Sequence, residues 1–315
     1  MDLSWFKPSV EGNVLITGCG GGYDIFTGLP IYFALKSSIS LKSHIILGNL
    51  SFSAVDQLEL FPQLGPACYC VDAQSVNLSD IQSFPEYKLS QLLEQPIYCF
   101  ISAHLGQFLQ SYKLLIELKN INSIIICDGG CDSVLSGTER ELGTPVEDMM
   151  TLWAINQIIL SKCHLEMNNV YLTLLGANVD TFADVYYDDW IDNLKSLHHI
   201  SIQLDPNMPD VKRYIDLLYM MKKVPSIVNC CILSALEGQT GNYHHPLLGD
   251  RCRLGEFKID GDTCKYYVFP HFKQIIDHIK YLDGFELEWI DDDIDEYIEK
   301  FNRKHNPHWK NRMLL

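Results

Sequence analysis

The sequence is short of positive charge. It carries 24 Lys and Arg residues against 40 Asp and Glu residues, a formal net charge of −16 at pH 7. A field of this sign repels phosphate backbones and anionic lipid surfaces. We therefore expect neither nucleic acid nor a membrane as the partner. A small anionic ligand stays open, because backbone dipoles act locally against the global field.

The sequence also lacks long apolar runs, a secretory signal and paired cysteine motifs. Every apolar run is cut by Asp, Lys, Gly or Pro before it reaches the length that crosses a bilayer. The first eight residues have neither a basic nor an apolar signal region. The eleven cysteines are an odd number, and none of their pairs has a second pair at zinc spacing. These absences predict a cytoplasmic protein with reduced thiols and no structural zinc.

Short apolar runs alternate with amphipathic stretches along the first part of the chain. Six runs read as strands, at residues 13–17, 44–47, 68–71, 97–101, 124–127 and 170–175. Near-continuous apolar strands are typical of a parallel sheet with helices on both faces. The pattern predicts an α/β, Rossmann-like, doubly wound and mainly parallel six-stranded sheet. In the Rossmann order the topological switch lies between the first and fourth strands.

The pattern changes after about residue 180. We predict a ligand-binding core over residues 1–180 and a mainly helical C-terminal region over residues 181–315, packed on that core. The helices are expected near residues 188–197, 210–222, 226–237, 272–282 and 293–301. A small hairpin is expected from residues 255–259 and 264–269, around an Asp-Gly-Asp turn.

The first loop with chemical character follows the first strand. It contains four glycines, which let the backbone approach a ligand closely, and it precedes a helix whose N-terminus favours anions. It is not a complete dinucleotide fingerprint, since Tyr23 stands where a glycine is expected, and it is not a Walker A loop, since no Gly-Lys-Ser/Thr follows. Asp24 is predicted to be catalytic, with helix capping as the alternative. The predicted ligand-binding residues here are Gly18, Gly20, Gly21, Gly22 and, at the end of the second strand, Asn49.

The second loop follows the fifth strand and is rich in glycine and carboxylates. Asp128 and Asp132 could hold a divalent cation, activate water or bind sugar hydroxyls. Both are predicted to be catalytic and to be magnesium ligands. The predicted ligand-binding residues of this loop are Gly129, Gly130, Ser133, Glu139 and Arg140. Arg140 has the alternative of pairing with Glu139 or Glu141.

Two further interpretations concern single residues. His104 follows the fourth strand, which the Rossmann order places at the switch point, so it is predicted to be an acid or base. A cap or packing residue is the alternative. Thr144, Glu147 and Asp148 are interpreted as structural, because Thr-Pro-x-Glu-Asp is typical of the start of a helix.

In these two loops the sequence resembles a prokaryotic family catalogued as domain of unknown function 1152. That family has a Gly-x-Gly-Gly-Gly-x-Asp turn, then Asp-x-Gly-Gly-x-Asp-Ser, Gly-x-Glu and Leu-Gly-Thr-Pro-x-Glu-Asp. The matching residues are Gly18 to Asp24, Gly129 to Ser133, Gly137 with Glu139, and Leu142 to Asp148. Asp128 departs from the pattern, because it directly adjoins Gly129. The resemblance spans roughly the first 180 residues and implies an α/β fold but no known activity.

Carboxylates beside glycine loops favour hydrolysis or group transfer over hydride transfer. The leading hypothesis is a small-molecule enzyme, a hydrolase or transferase, acting on a nucleotide-like, phosphorylated or glycosylated metabolite, with Mg²⁺ as a possible cofactor. The first alternative is a metabolite-binding or regulatory protein without turnover. The second is a scaffold that acts through protein partners, and a homo-oligomer is compatible with all three.

Overall fold

The computed structural model describes residues 1–7, 12–38, 44–78, 84–161, 165–221, 226–242 and 257–308. Within these ranges, nine strands form one sheet and two form a separate ribbon. The strands are β1 Asn13–Gly18, β2 Ile45–Leu50, β3 Gln63–Gly65, β4 Cys68–Val71, β5 Ile97–Phe100, β6 Ile121–Asp128, β7 Val170–Leu175, β8 Ile200–Gln203, β9 Gly241–Asn242, β10 Lys258–Ile259 and β11 Lys265–Phe269.

The helices cover both faces of the sheet. They are α1 Asp24–Thr27, α2 Leu29–Ser37, α3 Val55–Leu58, α4 Pro85–Leu93, α5 Leu105–Leu118, α6 Val146–Leu160, α7 Tyr187–Ser196, α8 Pro209–Met220, α9 Ile227–Leu236, α10 Phe272–His278 and α11 Asp291–His305. Among the residues described, no helix has the length and apolarity to cross a membrane.

The nine-stranded sheet runs in the order β3-β4-β5-β2-β1-β6-β7-β11-β8. Its centre is the parallel set β5-β2-β1-β6-β7, and antiparallel pairs extend both sides. The prediction of a Rossmann-like, mainly parallel α/β fold is confirmed. The predicted count of six strands is wrong, because antiparallel strands widen the sheet to nine.

The predicted strand order is wrong in one place. Residues 68–71 were expected to be the third parallel strand, but β4 pairs antiparallel with β5 and forms a hairpin with β3. The third parallel strand is therefore β5, and the neighbours of β1 are β2 and β6. The topological switch thus lies between β1 and β6 rather than beside residues 97–101.

The predicted C-terminal hairpin is also wrong where it is described. β10 pairs with β9, whereas β11 lies between β7 and β8 in the main sheet. The side chains explain this: Tyr266 and Val268 enter one core cluster while Tyr267 and Phe269 enter the other. A strand that is apolar on both sides is stable only with both faces covered. Residues 255–256 of that prediction lie outside the described ranges.

The core consists of two clusters, one on each face of the sheet. Alternate residues of β1 divide between them, with Val14 and Ile16 on one side and Leu15 on the other. The helices α2, α4, α8 and α9 supply the first cluster, and α5, α6, α7, α10 and α11 supply the second. This division leaves the carboxyl edge of the parallel strands for polar loops.

Candidate functional site

Polar loops converge where β1 and β6 end side by side. The glycine loop follows β1, and the long loop to α6 follows β6. Parallel neighbours present their carboxyl ends at one edge, and the crevice at a topological switch is where ligands bind in open α/β sheets. The corrected strand order therefore puts both predicted loops at the same crevice.

Three aspartates meet in this crevice. Asp24, Asp128 and Asp148 each offer a carboxylate oxygen, and these oxygens lie within 4.8 Å of one another. Asp24 opens α1, Asp128 ends β6 and Asp148 lies in the first turn of α6. We refer to these three residues as the carboxylate triad.

Asp24 ties the two loops together. Its Oδ2 accepts a hydrogen bond of 2.8 Å from the Gly20 N–H, and its Oδ1 accepts one of 3.2 Å from the Gly129 N–H. Gly20 lies close to both carboxylates, since a Cβ there would be 3.0 Å from an oxygen of Asp24 and of Asp148 and would force them to shift. The loop glycines thus allow the backbone to pass between carboxylates.

Asp148 is the triad member that sequence reasoning missed. It is not a helix cap: Pro145 is at the N-cap of α6, without a side-chain cap bond. Asp148 is only 4% exposed, and its Oδ1 has no hydrogen-bond partner among the residues described. Its position depends on how the first turn of α6 meets the loop after β1, where the Cys19 thiol contacts the Asp148 carbonyl oxygen at 3.8 Å, and no local pattern encodes this. The sequence signals were its place directly after a long acidic loop and at the end of the motif Leu142 to Asp148.

Two more aspartates surround the triad. Asp132 Oδ2 accepts a 3.1 Å bond from the Thr144 N–H, and Asp180 Oδ2 accepts a 2.7 Å bond from the Cys131 N–H. Ser133 donates from its hydroxyl to Asp128. The structure therefore brings the predicted residues Asp24, Asp128 and Asp132 into one cluster.

The electrostatics of this cluster are unfavourable without a cation. Burial raises the pKa of Asp24 to about 7 and that of Asp132 to about 6. Burial, followed by the neighbouring carboxylates, also raises the pKa values of Asp128 and Asp148 well above the usual range. Within the described ranges, no Lys, Arg or His forms an ion pair with these groups. A bound cation would stabilise the ionised forms.

The triad fits a hard divalent cation. Mg²⁺ and Ca²⁺ prefer carboxylate and carbonyl oxygens. Here three carboxylates offer oxygens within 4.8 Å, and one buried oxygen, Asp148 Oδ1, lacks a partner. An unsatisfied buried polar group costs stability, so its presence calls for an explanation such as a ligand. Of the two predicted magnesium ligands, Asp128 belongs to the triad, and Asp132 lies beside it, bonded to Thr144.

The glycine loop has fewer open donors than a phosphate-binding loop needs. The Gly20 N–H bonds to Asp24 and the Gly22 N–H to the Leu50 carbonyl oxygen at 3.0 Å. The following helix α1 has only four residues and begins with a carboxylate. A phosphate group bound at this loop would therefore face carboxylates rather than a row of backbone N–H groups. Any phosphate at this edge depends on the cation for its charge balance.

Asn49 and Glu86 form a buried hydrogen-bonded pair that contacts the backbone of the glycine loop. Asn49 Nδ2 donates to the Gly22 carbonyl oxygen at 2.8 Å and to Glu86 at 2.9 Å. Both side chains are fully buried. Gly18 has no room for a side chain, because a Cβ there would lie 2.2 Å from Asn49 Oδ1. Asn49 thus holds the loop in place, and direct ligand contact by it stays a prediction.

Glu139 and Arg140 have structural partners outside the triad. The Glu139 carboxylate accepts bonds from the N–H groups of residues 136–138 and from Asn193. Arg140 forms a two-pronged ion pair with Asp189 and stacks on the Tyr186 ring at 4.1 Å. Neither of the anticipated partners of Arg140, Glu139 or Glu141, forms that pair.

His104 is not at the switch point, because β2 separates β5 from β1. It occupies the N-cap position of α5, and its Nδ1 lies 2.6 Å from the Glu288 carbonyl oxygen. The premise for a catalytic role was the predicted strand order, which is wrong. The His104 side chain makes no cap bond at this helix start, and a role as acid or base stays a prediction.

No family model matches this chain, and comparison with the curated proteins and with the solved structures found no match. The resemblance seen in the sequence therefore stays a prediction, and the chemistry of the crevice follows from its geometry alone.

Proposed function

We propose that this protein is a divalent-cation-dependent hydrolase or group transferase acting on a small nucleotide-like, phosphorylated or glycosylated metabolite. The observation that carries the proposal is the carboxylate triad, with its buried oxygen that has no partner. In this proposal the protein works in the cytoplasm, and its partner is a small molecule rather than nucleic acid or a membrane.

The triad would hold the cation, and a bound cation supplies charge stabilisation for a reacting oxygen. Asp24 is fixed by two backbone N–H groups and Asp128 by the Ser133 hydroxyl. Their orientations are therefore set before a ligand arrives. Preorganised charges need no rearrangement during the reaction, which is where most electrostatic catalysis comes from.

Asp132 is the candidate general base. Its pKa of about 6 is close to neutral, where a base is both deprotonated and able to accept a proton. The Thr144 N–H holds one of its oxygens at 3.1 Å. In a hydrolase Asp132 would take the proton from water. In a transferase it would take the proton from the acceptor hydroxyl.

The lack of Lys and Arg partners near the described aspartates limits how many negative charges the substrate can carry. Among the residues described, the cluster has no Lys or Arg within ion-pairing distance. Such a site stabilises few negative charges beyond those that the cation neutralises. A substrate with one phosphate group, or a sugar, fits this better than a triphosphate.

The first test is cation binding to metal-stripped protein by calorimetry, followed by turnover. We expect Mg²⁺ or Mn²⁺ to bind, and Asp148→Asn to weaken that binding at least tenfold. The exposed Asp216, changed to Asn, is the matched control and should bind like the wild type. Phosphate or sugar release from a panel of phosphorylated and glycosylated metabolites then tests catalysis.

The outcomes separate the candidate functions. Turnover that needs the cation and is lost in Asp132→Asn supports the enzyme. A metabolite that binds with the cation and is recovered unchanged would make the protein a binding or regulatory one. If neither Mg²⁺ nor Mn²⁺ binds, the proposal fails.

A further inference from the structure

An aromatic side chain lies in the open beside the carboxylate triad. Phe52 is 65% exposed, although it sits between Ser51 and Ser53, which are 5% and 8% exposed. A single exposed apolar side chain is common on protein surfaces, so its meaning depends on what surrounds it.

The backbone around Phe52 is fixed. The Ser51 N–H donates to the Phe100 carbonyl oxygen at 2.7 Å, and the Ser53 hydroxyl donates to Glu86 at 3.2 Å. The Ser53 N–H also bonds to the Ser51 hydroxyl at 3.1 Å. Since both neighbours are anchored to the sheet and to α4, the ring projects from a rigid segment.

The ring lies on the glycine loop. A Cβ added to Gly21 would be 2.4 Å from Phe52 Cζ, and one added to Gly22 would be 3.1 Å from Cδ2. The loop therefore accommodates the ring only because these two residues lack side chains. The ring therefore lies against the two glycines, while 65% of the side chain is open to solvent.

The ring is also near the triad. Gly20 lies against Asp24 and Asp148, and Gly21 and Gly22 lie against Phe52. Consecutive Cα atoms are about 3.8 Å apart, so Gly20 and Gly22 are separated by no more than about 7 Å. A cation site and an aromatic face thus occupy the same short loop.

We propose that Phe52 is a stacking platform for the planar base of a nucleoside monophosphate whose phosphate lies at the triad-bound cation. This inference rests on the proposed function and names its substrate class. An aromatic ring binds any base through its π-face, and each stacked base contributes roughly tenfold or more in affinity. The triad would supply the cation for one phosphate, and Phe52 would distinguish a nucleotide from a plain sugar phosphate.

The test compares three probes with MgCl₂ present: AMP, ribose 5-phosphate and adenosine. Calorimetry should show AMP binding about tenfold more tightly than ribose 5-phosphate. Phe52→Leu keeps an apolar side chain but removes the ring, and it should remove that tenfold advantage without changing ribose 5-phosphate affinity. Phe52→Trp should preserve the advantage.

Gly21→Ala provides a second route to the same result. The new methyl group would displace the Phe52 ring, and the Gly21 backbone is outside the left-handed region, so the fold tolerates the change. AMP affinity should fall as it does in Phe52→Leu. Gly261→Ala is the matched control, because nothing lies within 4 Å of its Cβ position and its backbone is likewise ordinary.

Each outcome decides something different. Equal binding of AMP and ribose 5-phosphate overturns the platform but leaves the proposed function standing. Adenosine binding that is lost in Phe52→Leu, with no gain from the phosphate, supports the platform and contradicts the proposed cation-phosphate site. Binding of none of the probes overturns the platform, and the cation-binding test alone then decides the proposed function. If Phe52→Leu changes the oligomer mass but not AMP affinity, the ring is a protein contact and the platform is wrong.

Discussion

Asp148 is a buried carboxylate that destabilises the protein when no cation is bound. It is 4% exposed, its Oδ1 has no partner in the described part of the chain, and Asp24 lies across Gly20 from it. Two buried carboxylates this close repel each other unless a proton or a cation intervenes. The residue therefore makes the metal-free protein less stable than its fold alone would allow.

Asp148→Asn should stabilise the metal-free protein. The amide removes one buried charge and can donate a hydrogen bond to Asp24, so we expect a gain of about 1–2 kcal/mol. Urea denaturation in EDTA measures this. Saturating Mg²⁺ should stabilise the wild type by at least about 1.4 kcal/mol more than the variant, which corresponds to tenfold weaker binding. A variant less stable than the wild type in EDTA would show that the Asp148 charge is already balanced.

The aspartates also predict how stability depends on pH. The pKa values of Asp24 and Asp132 are raised to about 7 and about 6, so the folded protein binds more protons than the unfolded chain between about pH 4 and pH 7. Their contribution to stability is present at low pH and is lost as pH rises through 6 and 7. The raised pKa values of Asp24 and Asp132 should therefore make the free energy of unfolding of the metal-free protein larger at pH 5 than at pH 8.

Melting temperatures of EDTA-treated protein from pH 5 to pH 8 test this, with Asp132→Asn as the comparison. The variant should lose part of the slope, and identical slopes would remove Asp132 from the linkage. Cation affinity should change in the opposite direction. It should tighten by about tenfold per pH unit for each proton released below pH 6.

At the scale of elements, the loop between β6 and α6 is held by one carboxylate. Glu139 accepts bonds of 2.7–2.8 Å from the N–H groups of Ser136, Gly137 and Thr138. Asn302 from α11 donates to the carbonyl oxygens of Gly137 and Glu139. This latch fixes the loop that carries Asp132.

Glu139→Gln should destabilise the protein by about 2–4 kcal/mol, because an amide offers one acceptor oxygen where the carboxylate offers two, and buried N–H groups lose partners. Chemical denaturation measures the loss. Glu296→Gln is the control, since its exposed pair with Lys300 should contribute less than about 0.5 kcal/mol. Cation affinity of the folded Glu139→Gln protein should be unchanged. A selective loss of affinity without a loss of stability would make Glu139 a ligand.

The sequence predicted where strands and helices lie in the chain better than which strands pair in the sheet. The apolar runs of β1, β5, β6 and β7, and the amphipathic stretches of α5 and α6, identify themselves through local periodicity. Nothing local tells whether β4 lies parallel or antiparallel to β5, so the strand order failed there. The same applies to β11, whose partners are distant in the chain.

The candidate site was predictable to the same extent. Asp24, Asp128 and Asp132 follow strand ends, where a parallel sheet exposes its loops, and the sequence pointed to them. Asp148 lies inside a helix whose start carries ordinary capping signals, so its local pattern indicates structure. Its place beside the other carboxylates comes from the contact of the first turn of α6 with the loop after β1, at Cys19 and Gly20.

At the scale of the whole molecule, the sheet depends on both halves of the chain. β11 covers the edge of β7, and α10 and α11 complete the core cluster built by α5 and α6. A chain ending at residue 180 would expose the β7 edge and apolar side chains such as Leu172 and Leu174.

Truncation after residue 180 should therefore give an insoluble product. Exposed edge strands with apolar faces template aggregation. Comparing the soluble fraction and circular dichroism of residues 1–180 with those of the full chain tests this. Co-expression of residues 181–315 as a separate chain should restore part of the solubility. A stable, monomeric fragment of residues 1–180 would show that the core folds alone.

The insertion of β11 between β7 and β8 has a consequence in time. β7 ends at Leu175 and β11 begins at Lys265, so about ninety residues are synthesised while one edge of the sheet has no neighbour. At roughly 5–20 residues per second, that edge waits about 5–20 s on the ribosome. β8 is synthesised before β11, but it pairs with β11 and not with β7, so it leaves the β7 edge uncovered. The nascent protein therefore has an unpaired β7 edge until residue 269 has been synthesised. We expect the yield of folded protein to depend on protection of this edge during synthesis.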